Sequence, residues 1–407
     1  MNFEKTSYIQ VVCAFSILIL TSHFKFFVEH RWYFSFSALL VSIIFISVFC
    51  IRLKLSTNHI VLLFVLVLFV LFCNLSKITN AADNLIGMSS LWVSNLDFLF
   101  IVLCFLLIIA NKKSVMFDAY TAYVYFLSIF LILSILIWCL FFLGVPLDGL
   151  FFNEISPDIK NTLYYYNFYY LNYIPSWLMY SNGIGGHVTR LTSIFWEPGT
   201  LGFYAFMIYY IERECIKRRS YYISNVFFVS GLLSFSLLFY ISFFIYCMFF
   251  KSKLALCLIL LVIVIAFFMM SSNGVLYEVI LRRLEFDSVR GMAGNNRLSS
   301  YLFLYDWLSN SSWIDILLGM GTKSKFDGEL TSIASKIYYR GVVSECLYFL
   351  FIGLISFSNY SSRRNKRIYF LFFIFILCLS QLSWDTGSLV FLYIMAAKFI
   401  DYSVELK

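Results

Sequence analysis

Two short stretches of this 407-residue chain hold residue types that could do chemistry. In the first, Thr189–Gly202, Arg190 and Glu197 stand seven residues apart, about two helical turns and one face if the segment is helical. Pro198 and Gly199 follow at once, so an ionisable pair borders a break in the backbone. Two readings stay open: a functional carboxylate and guanidinium, or an ion pair that closes a helix end. In the second stretch, Arg290 and Arg297 flank Gly291-Met292-Ala293-Gly294-Asn295-Asn296, a small turn without an acid. A helix through Tyr301 to Leu308 is expected next, with Asn295 or Asn296 as its cap. Guanidinium forks match phosphate oxygens, and a helix start adds free N–H donors, so this stretch suits an anion. It is not a P-loop: G-x-x-x-x-G-K-[ST] occurs nowhere, and ATP hydrolysis is not supported. Leu317-Leu318-Gly319-Met320-Gly321 closes the helical stretch with a turn. Beyond it, Arg340 and Glu345 stand five apart, as an anchoring pair at a helix start or as part of a polar site. Asp385, beside Gly387, is a weaker polar candidate.

A third stretch is aromatic. Asn161–Tyr180 reads NTLYYYNFYYLNYIPSWLMY and includes Trp177. Flat rings there make either an interfacial belt, one end apolar and the other wet, or a platform that stacks on sugar C–H faces. Asn182-Gly183-Ile184-Gly185-Gly186 then breaks any helix and allows close backbone approach.

The elements that position these residues follow from composition. The chain is 61% apolar and only 13% charged, whereas soluble domains carry about 25% charged residues. A soluble enzyme, a disordered chain and a nucleic-acid binder are therefore excluded as readings. The expected fold class is all-α, a polytopic membrane protein in a lipid bilayer with about twelve transmembrane helices and two large extracytoplasmic loops. The spans are read as 8–22, 32–50, 59–75, 91–110, 119–145, 193–211, 221–235, 237–250, 254–271, 341–358, 368–381 and 385–400. The split near Ser234-Phe235-Ser236 is the weakest, since two short spans there could be one long helix. With both termini cytoplasmic, the inner segments collect 17 of the 30 basic residues and six acids, and the outer ones 13 basic residues and 16 acids. That asymmetry follows the positive-inside rule. One membrane domain, 1–407, then carries a first outer loop at 146–192 and a second at 272–340. The N-terminal run to Leu20 reads as a spanning helix or signal-anchor, without a small-residue cleavage site. Ten cysteines include no C-x-x-C pair, and four histidines make no ligand pair at helical spacing, so no metal site and no cofactor is expected.

RLTSIFWEPGTLG at Arg190–Gly202 resembles the R-x-x-S-x-F-x-E-P segment common in O-antigen polymerases of the Wzy type. NNRLSSYLFLYDWLSNSSWIDILLGMGT at Asn295–Thr322 resembles the R-x-x-x-(Y/W)…l-l-G-x-G stretch of the wider O-antigen polymerase and ligase superfamily. These motifs cover about 40 residues; the remainder matches by length, span count and the two-loop layout. The resemblance implies a GT-C-like glycosyltransferase of the bacterial inner membrane. Such an enzyme moves a growing oligosaccharide from undecaprenyl pyrophosphate to a new lipid-linked repeat unit at the periplasmic face. The implied partners are that lipid-linked oligosaccharide, a chain-length regulator and a flippase. The pyrophosphate leaving group would be held by Arg190, Arg290, Arg297 and Arg340. Glu197 would act as general base on the acceptor hydroxyl, with Arg190 beside it, and Tyr301, Trp196 and Trp177 would bind sugar. Superfamily ligases carry a histidine near the start of a late helix; here Ala334 to Glu345 has Lys336 and Arg340 and no histidine, which favours a polymerase. The alternatives are a flippase for lipid-linked oligosaccharide, a ligase, and a structural subunit of an envelope assembly. Charge-poor spans and long outer loops favour an enzyme over the flippase.

Overall fold

The computed structural model describes residues 5–22, 24, 31–49, 57–79, 99, 101–103, 113–145, 152–155, 164–168, 171–175, 180–181, 187–195, 197–216, 221–250, 286–287, 291–292, 298–321, 333–357 and 387–398. Most of these are helical, as expected. The chain divides into two compact units. One is made of residues 1–22, 30–123 and 296–407, the other of 23–29 and 124–295.

The first unit contains α1 (Lys5–Leu20), α2 (Arg31–Phe49), α3 (Thr57–Thr79), the first residues of α4 (Lys113–Phe142), α8 (Leu298–Asn310), α9 (Trp313–Leu318), α10 (Ile333–Phe357) and α11 (Gly387–Lys398). α10 is the hub and packs on α3, α8, α9 and α11, while α1 packs on α2 and α11. Phe69 of α3 meets Tyr348 of α10 at 5.4 Å between ring centroids. The second unit takes the rest of α4, strands β1–β7, α5 (Pro198–Tyr210), α6 (Tyr222–Leu233) and α7 (Leu237–Phe250). α5 packs on both α6 and α7.

Among the described residues, two helical stretches are long and apolar enough to cross a membrane, Ser114–Phe142 and Ile333–Ile355. Only 28% of the most apolar part of the first is buried inside the protein. Its Ile129, Ile132 and Leu136 stand exposed, as do Phe64 and Leu71 on α3. A helix that is apolar all round and still largely uncovered by protein is the pattern of a lipid-facing element. The spans read at 254–271 and 368–381, and most of 91–110, lie outside the described residues.

The all-α expectation is amended in the loops. In 146–192, β1 (Phe152–Ile155), β2 (Tyr164–Phe168) and β3 (Asn172–Pro175) form an antiparallel sheet with Tyr166 opposite Asn153 and Ile174. Tyrosine and phenylalanine prefer the pleated, half-covered surface of a strand over a helix, and here that preference wins. β4 (Tyr180–Ser181) pairs with β5 (His187–Val188) across the glycine-rich stretch. In 272–340, β6 (Phe286–Asp287) pairs with β7 (Gly291–Met292).

The uncertain split at Ser234-Phe235-Ser236 is a true break, and α6 and α7 fold back as a hairpin. Phe228 and Phe243 would lie about 22 Å apart along one continuous helix; their rings meet at 5.0 Å. The Tyr240 hydroxyl donates to the Leu232 carbonyl at 2.8 Å, tying the two arms near the tip. Gly231 is required by the crossing: a Cβ there would stand 2.0 Å from the Phe239 ring. Gly231→Ala should therefore destabilise the fold by about 1–3 kcal/mol. Thermal unfolding in detergent measures this, and Phe239→Leu in the same chain should restore part of the loss.

Candidate functional site

The segment Arg190–Pro198 is not the helix that a seven-residue spacing suggested. α5 begins only at Pro198, so Arg190 and Glu197 do not share a helical face. The cause is local. Proline disfavours a helical conformation in the residue before it and is pre-set for the first helical position. Glu197 is accordingly extended, with φ −135° and ψ 149°, and serves as the N-cap. Its carbonyl accepts from the Leu201 N–H at 3.1 Å. Its side chain makes no capping bond and stands exposed at the helix start.

Arg190 does something the sequence did not suggest. Its Nε donates to the Ser234 carbonyl at 3.1 Å, and an Nη donates to the Phe235 carbonyl at 3.2 Å. The backbone N–H of Leu191 donates to the Leu233 carbonyl at 2.9 Å. Three consecutive carbonyls at the end of α6, left without helical partners by the break, are thus capped from a distant segment. A guanidinium suits this place, because the C-terminal end of a helix carries partial negative charge. Phe235 itself is held at φ 44°, a left-handed conformation that bulky residues avoid.

The remaining motif residues lock the segment in place. Ser193, at φ 52°, is buried, and its hydroxyl bonds that of Ser134 on α4 at 2.8 Å. The Ser134 hydroxyl also donates to the Phe130 and Leu171 carbonyls. Trp138 Nε1 donates to the Thr189 carbonyl at 2.8 Å. Phe195 is buried between Phe24 and Tyr204, with ring centroids 5.4 and 4.9 Å away. Gly202 lets α5 approach the hairpin tip, since a Cβ there would stand 2.5 Å from the Ser236 Cβ. Among the described residues of the motif, Glu197 alone presents a reactive side chain to the exterior.

The other end of α5 corrects the sequence reading. Glu212, Arg213, Glu214 and Cys215 were expected in an inner loop. Instead the helix continues as a π turn, Ile211–Ile216, in which Glu212 and Cys215 are buried. The Tyr246 hydroxyl donates to Glu214 Oε1 at 2.5 Å. The Arg213 guanidinium lies 4.2 Å from the Tyr221 ring centroid and 5.7 Å from that of Tyr209. Widened turns of this kind recur at functional positions, and no linear motif signals one.

In the first unit, α10 is broken at Gly341, where φ is 79° and ψ 162°. The Arg340 guanidinium lies 3.8 Å from Glu345 Oε1 across the break, so the expected pair forms. Arg340 keeps 25% side-chain exposure while Glu345 is buried. Leu317–Gly321 docks into this break. Met320 N–H donates to the Tyr338 carbonyl at 2.7 Å and Gly321 N–H to the Tyr339 carbonyl at 3.0 Å. A break carries the donors four residues on away from such carbonyls, and the glycine turn supplies replacements. Tyr301 packs half-buried against Leu304, Ala334 and Tyr338, with its hydroxyl shielded from solvent. Arg290, Arg297, Trp196 and Trp177 lie outside the described residues. Among the described residues no cluster of metal-ligating side chains occurs.

No protein-family model, curated protein or solved structure matches this chain.

Proposed function

We propose that the chain is a polytopic inner-membrane glycosyltransferase of the O-antigen polymerase type, with both termini cytoplasmic. It would join undecaprenyl-pyrophosphate-linked oligosaccharide repeat units at the periplasmic face. The observation that supports this reading best is the construction of Arg190–Pro198. Arginine, serine, phenylalanine and proline of the motif are committed to holding one backbone geometry, and that geometry leaves a single carboxylate, Glu197, exposed at a helix start. A glycan hydroxyl is a poor nucleophile until its proton is taken, and a fixed carboxylate can take it. The sugar bond forms as the bond to the diphosphate oxygen breaks; the proton passes to Glu197 and the electron pair leaves with the diphosphate. Arg190 acts on structure instead, keeping the hairpin tip and the segment leading to Glu197 in register.

Glu197→Gln keeps the shape and removes the base. Polymer formation should fall by about 10²–10⁴-fold, with the same amount of folded protein in the membrane. Lipid-linked chain length in cells carrying the variant reports this. Normal polymer at normal protein level would end the assignment of Glu197. Purified protein in liposomes separates the enzyme from a flippase, because a transferase lengthens lipid-linked glycan without moving it across the bilayer.

A further inference from the structure

α9 is a helix of six residues, joined to α8 through Ser312, whose hydroxyl accepts from the Asp315 N–H and caps it. Its inner side is committed: α9 packs on α10 and α3, and the turn after it is interlocked with Gly341. Its outer side carries Trp313, Ile314 and Leu317, spaced to share one face, with 80%, 68% and 45% of each exposed. Three large apolar side chains on one turn and a half are costly in water. Large apolar side chains also stand exposed on the two helices that hold α9, at Phe64 and Leu71 of α3 and Leu350 of α10.

We propose that the Trp313–Ile314–Leu317 face seats in the headgroup layer of a phospholipid bilayer, so that α9 is an interfacial anchor. The proposal rests on the reading of the chain as a membrane protein. The exposed apolar side chains on α3 and α10, the helices that hold α9, and the largely uncovered apolar span Ser114–Phe142 favour lipid over a protein partner. The depth follows from composition. Ser312 and Asp315 belong in water, Ile314 and Leu317 in hydrocarbon, and an indole carries an apolar body with a polar N–H suited to the boundary.

The test is fluorescence quenching of the full chain reconstituted in phosphatidylcholine–phosphatidylglycerol vesicles, with Trp313→Phe as the subtraction. Trp313 is exposed, so phenylalanine is tolerated there. The difference emission should be blue-shifted. It should lose most of its intensity in lipid brominated near the headgroup end of the acyl chain, and little to aqueous iodide. Quenching by iodide, or by neither reagent, overturns the proposal, since a water-facing sugar site gives the first result and a protein-covered face the second. Total tryptophan emission in the same vesicles keeps the two readings apart. If bromines placed deep in the chain do not quench it, the membrane reading has failed; if they do and Trp313 does not respond, only the anchor has failed.

Discussion

Gly341→Ala is expected to leave little folded protein. Gly341 and Gly319 face each other at the crossing of α9 and α10, both with positive φ, 79° and 82°. A Cβ on Gly341 would stand 2.2 Å from the Leu317 carbonyl oxygen, and one on Gly319 2.4 Å from the Gly341 nitrogen. These are backbone atoms, so no rotamer change relieves the clash. Gly341, at φ 79° and ψ 162°, lies in a region open essentially to glycine alone, at a cost of roughly 1–3 kcal/mol for another residue, and forcing an extra methyl into a packed contact costs about 1–3 kcal/mol more. Separating the two segments to make room would also pull Met320 and Gly321 off the carbonyls of Tyr338 and Tyr339. The sum is a large share of the ~5–15 kcal/mol that holds a domain together. Gly353→Ala in the same helix is the control: a Cβ there meets nothing within 4 Å, and the better helix propensity should gain about 0.5–1 kcal/mol. Size-exclusion profiles and thermal midpoints in one detergent compare both variants with the unaltered chain.

Arg190→Ala should be nearly as damaging, through a different cause. It removes both donors to the Ser234 and Phe235 carbonyls and leaves two acceptors at the hairpin tip unmet, at about 1–3 kcal/mol each. It also removes the positive charge at the end of α6 and the restraint that keeps Phe235 at φ 44°. Arg190→Lys should recover only part, because an ammonium is a point charge and cannot bridge two carbonyls as a fork does. Amide exchange over residues 231–240 should speed up strongly in the alanine variant and moderately in the lysine variant. A residue that served only to bind diphosphate would leave that exchange unchanged, so the measurement separates a structural arginine from a ligand-binding one.

Much of the helical layout was legible in the sequence, because long apolar runs bounded by charge have few other solutions. Apart from α8 and α9, which lie in the second loop, the described helices overlap the ranges read from those runs, with shifts at their ends. The errors have physical sources. The seven-residue spacing of Arg190 and Glu197 invited a helix, and Pro198 moved its start past both. Cys215 and its charged neighbours looked like a loop because charge usually ends a span; here Tyr246, Tyr209 and Tyr221 give that charge partners and the helix widens to keep it. The tyrosine run at 164–168 was read as a platform or belt without its backbone form, and aromatic propensity made it a strand. Of the polar pairs, the Arg340–Glu345 contact was legible from type and spacing. The cap over Ser234 and Phe235 joins residues 44 and 45 positions apart, and no local pattern reports a contact at that range.

The folded-back pair α6 and α7 bears on how the chain is threaded. The arms are about 18 and 21 Å long at 1.5 Å per residue, while the hydrocarbon layer is ~30 Å thick. In such a layer the pair dips in and returns to the leaflet it left, and its exposed carbonyls at mid-depth need the kind of donor that Arg190 supplies. One dip and two crossings have the same parity. On the proposed topology every later loop would keep its side, and the charge asymmetry between the two faces would stay as it is with ten full passages in place of twelve. A reporter attached at Ser236 would then be sheltered from reagents on either side, while reporters in the segments before α6 and after α7 would both answer from the same side.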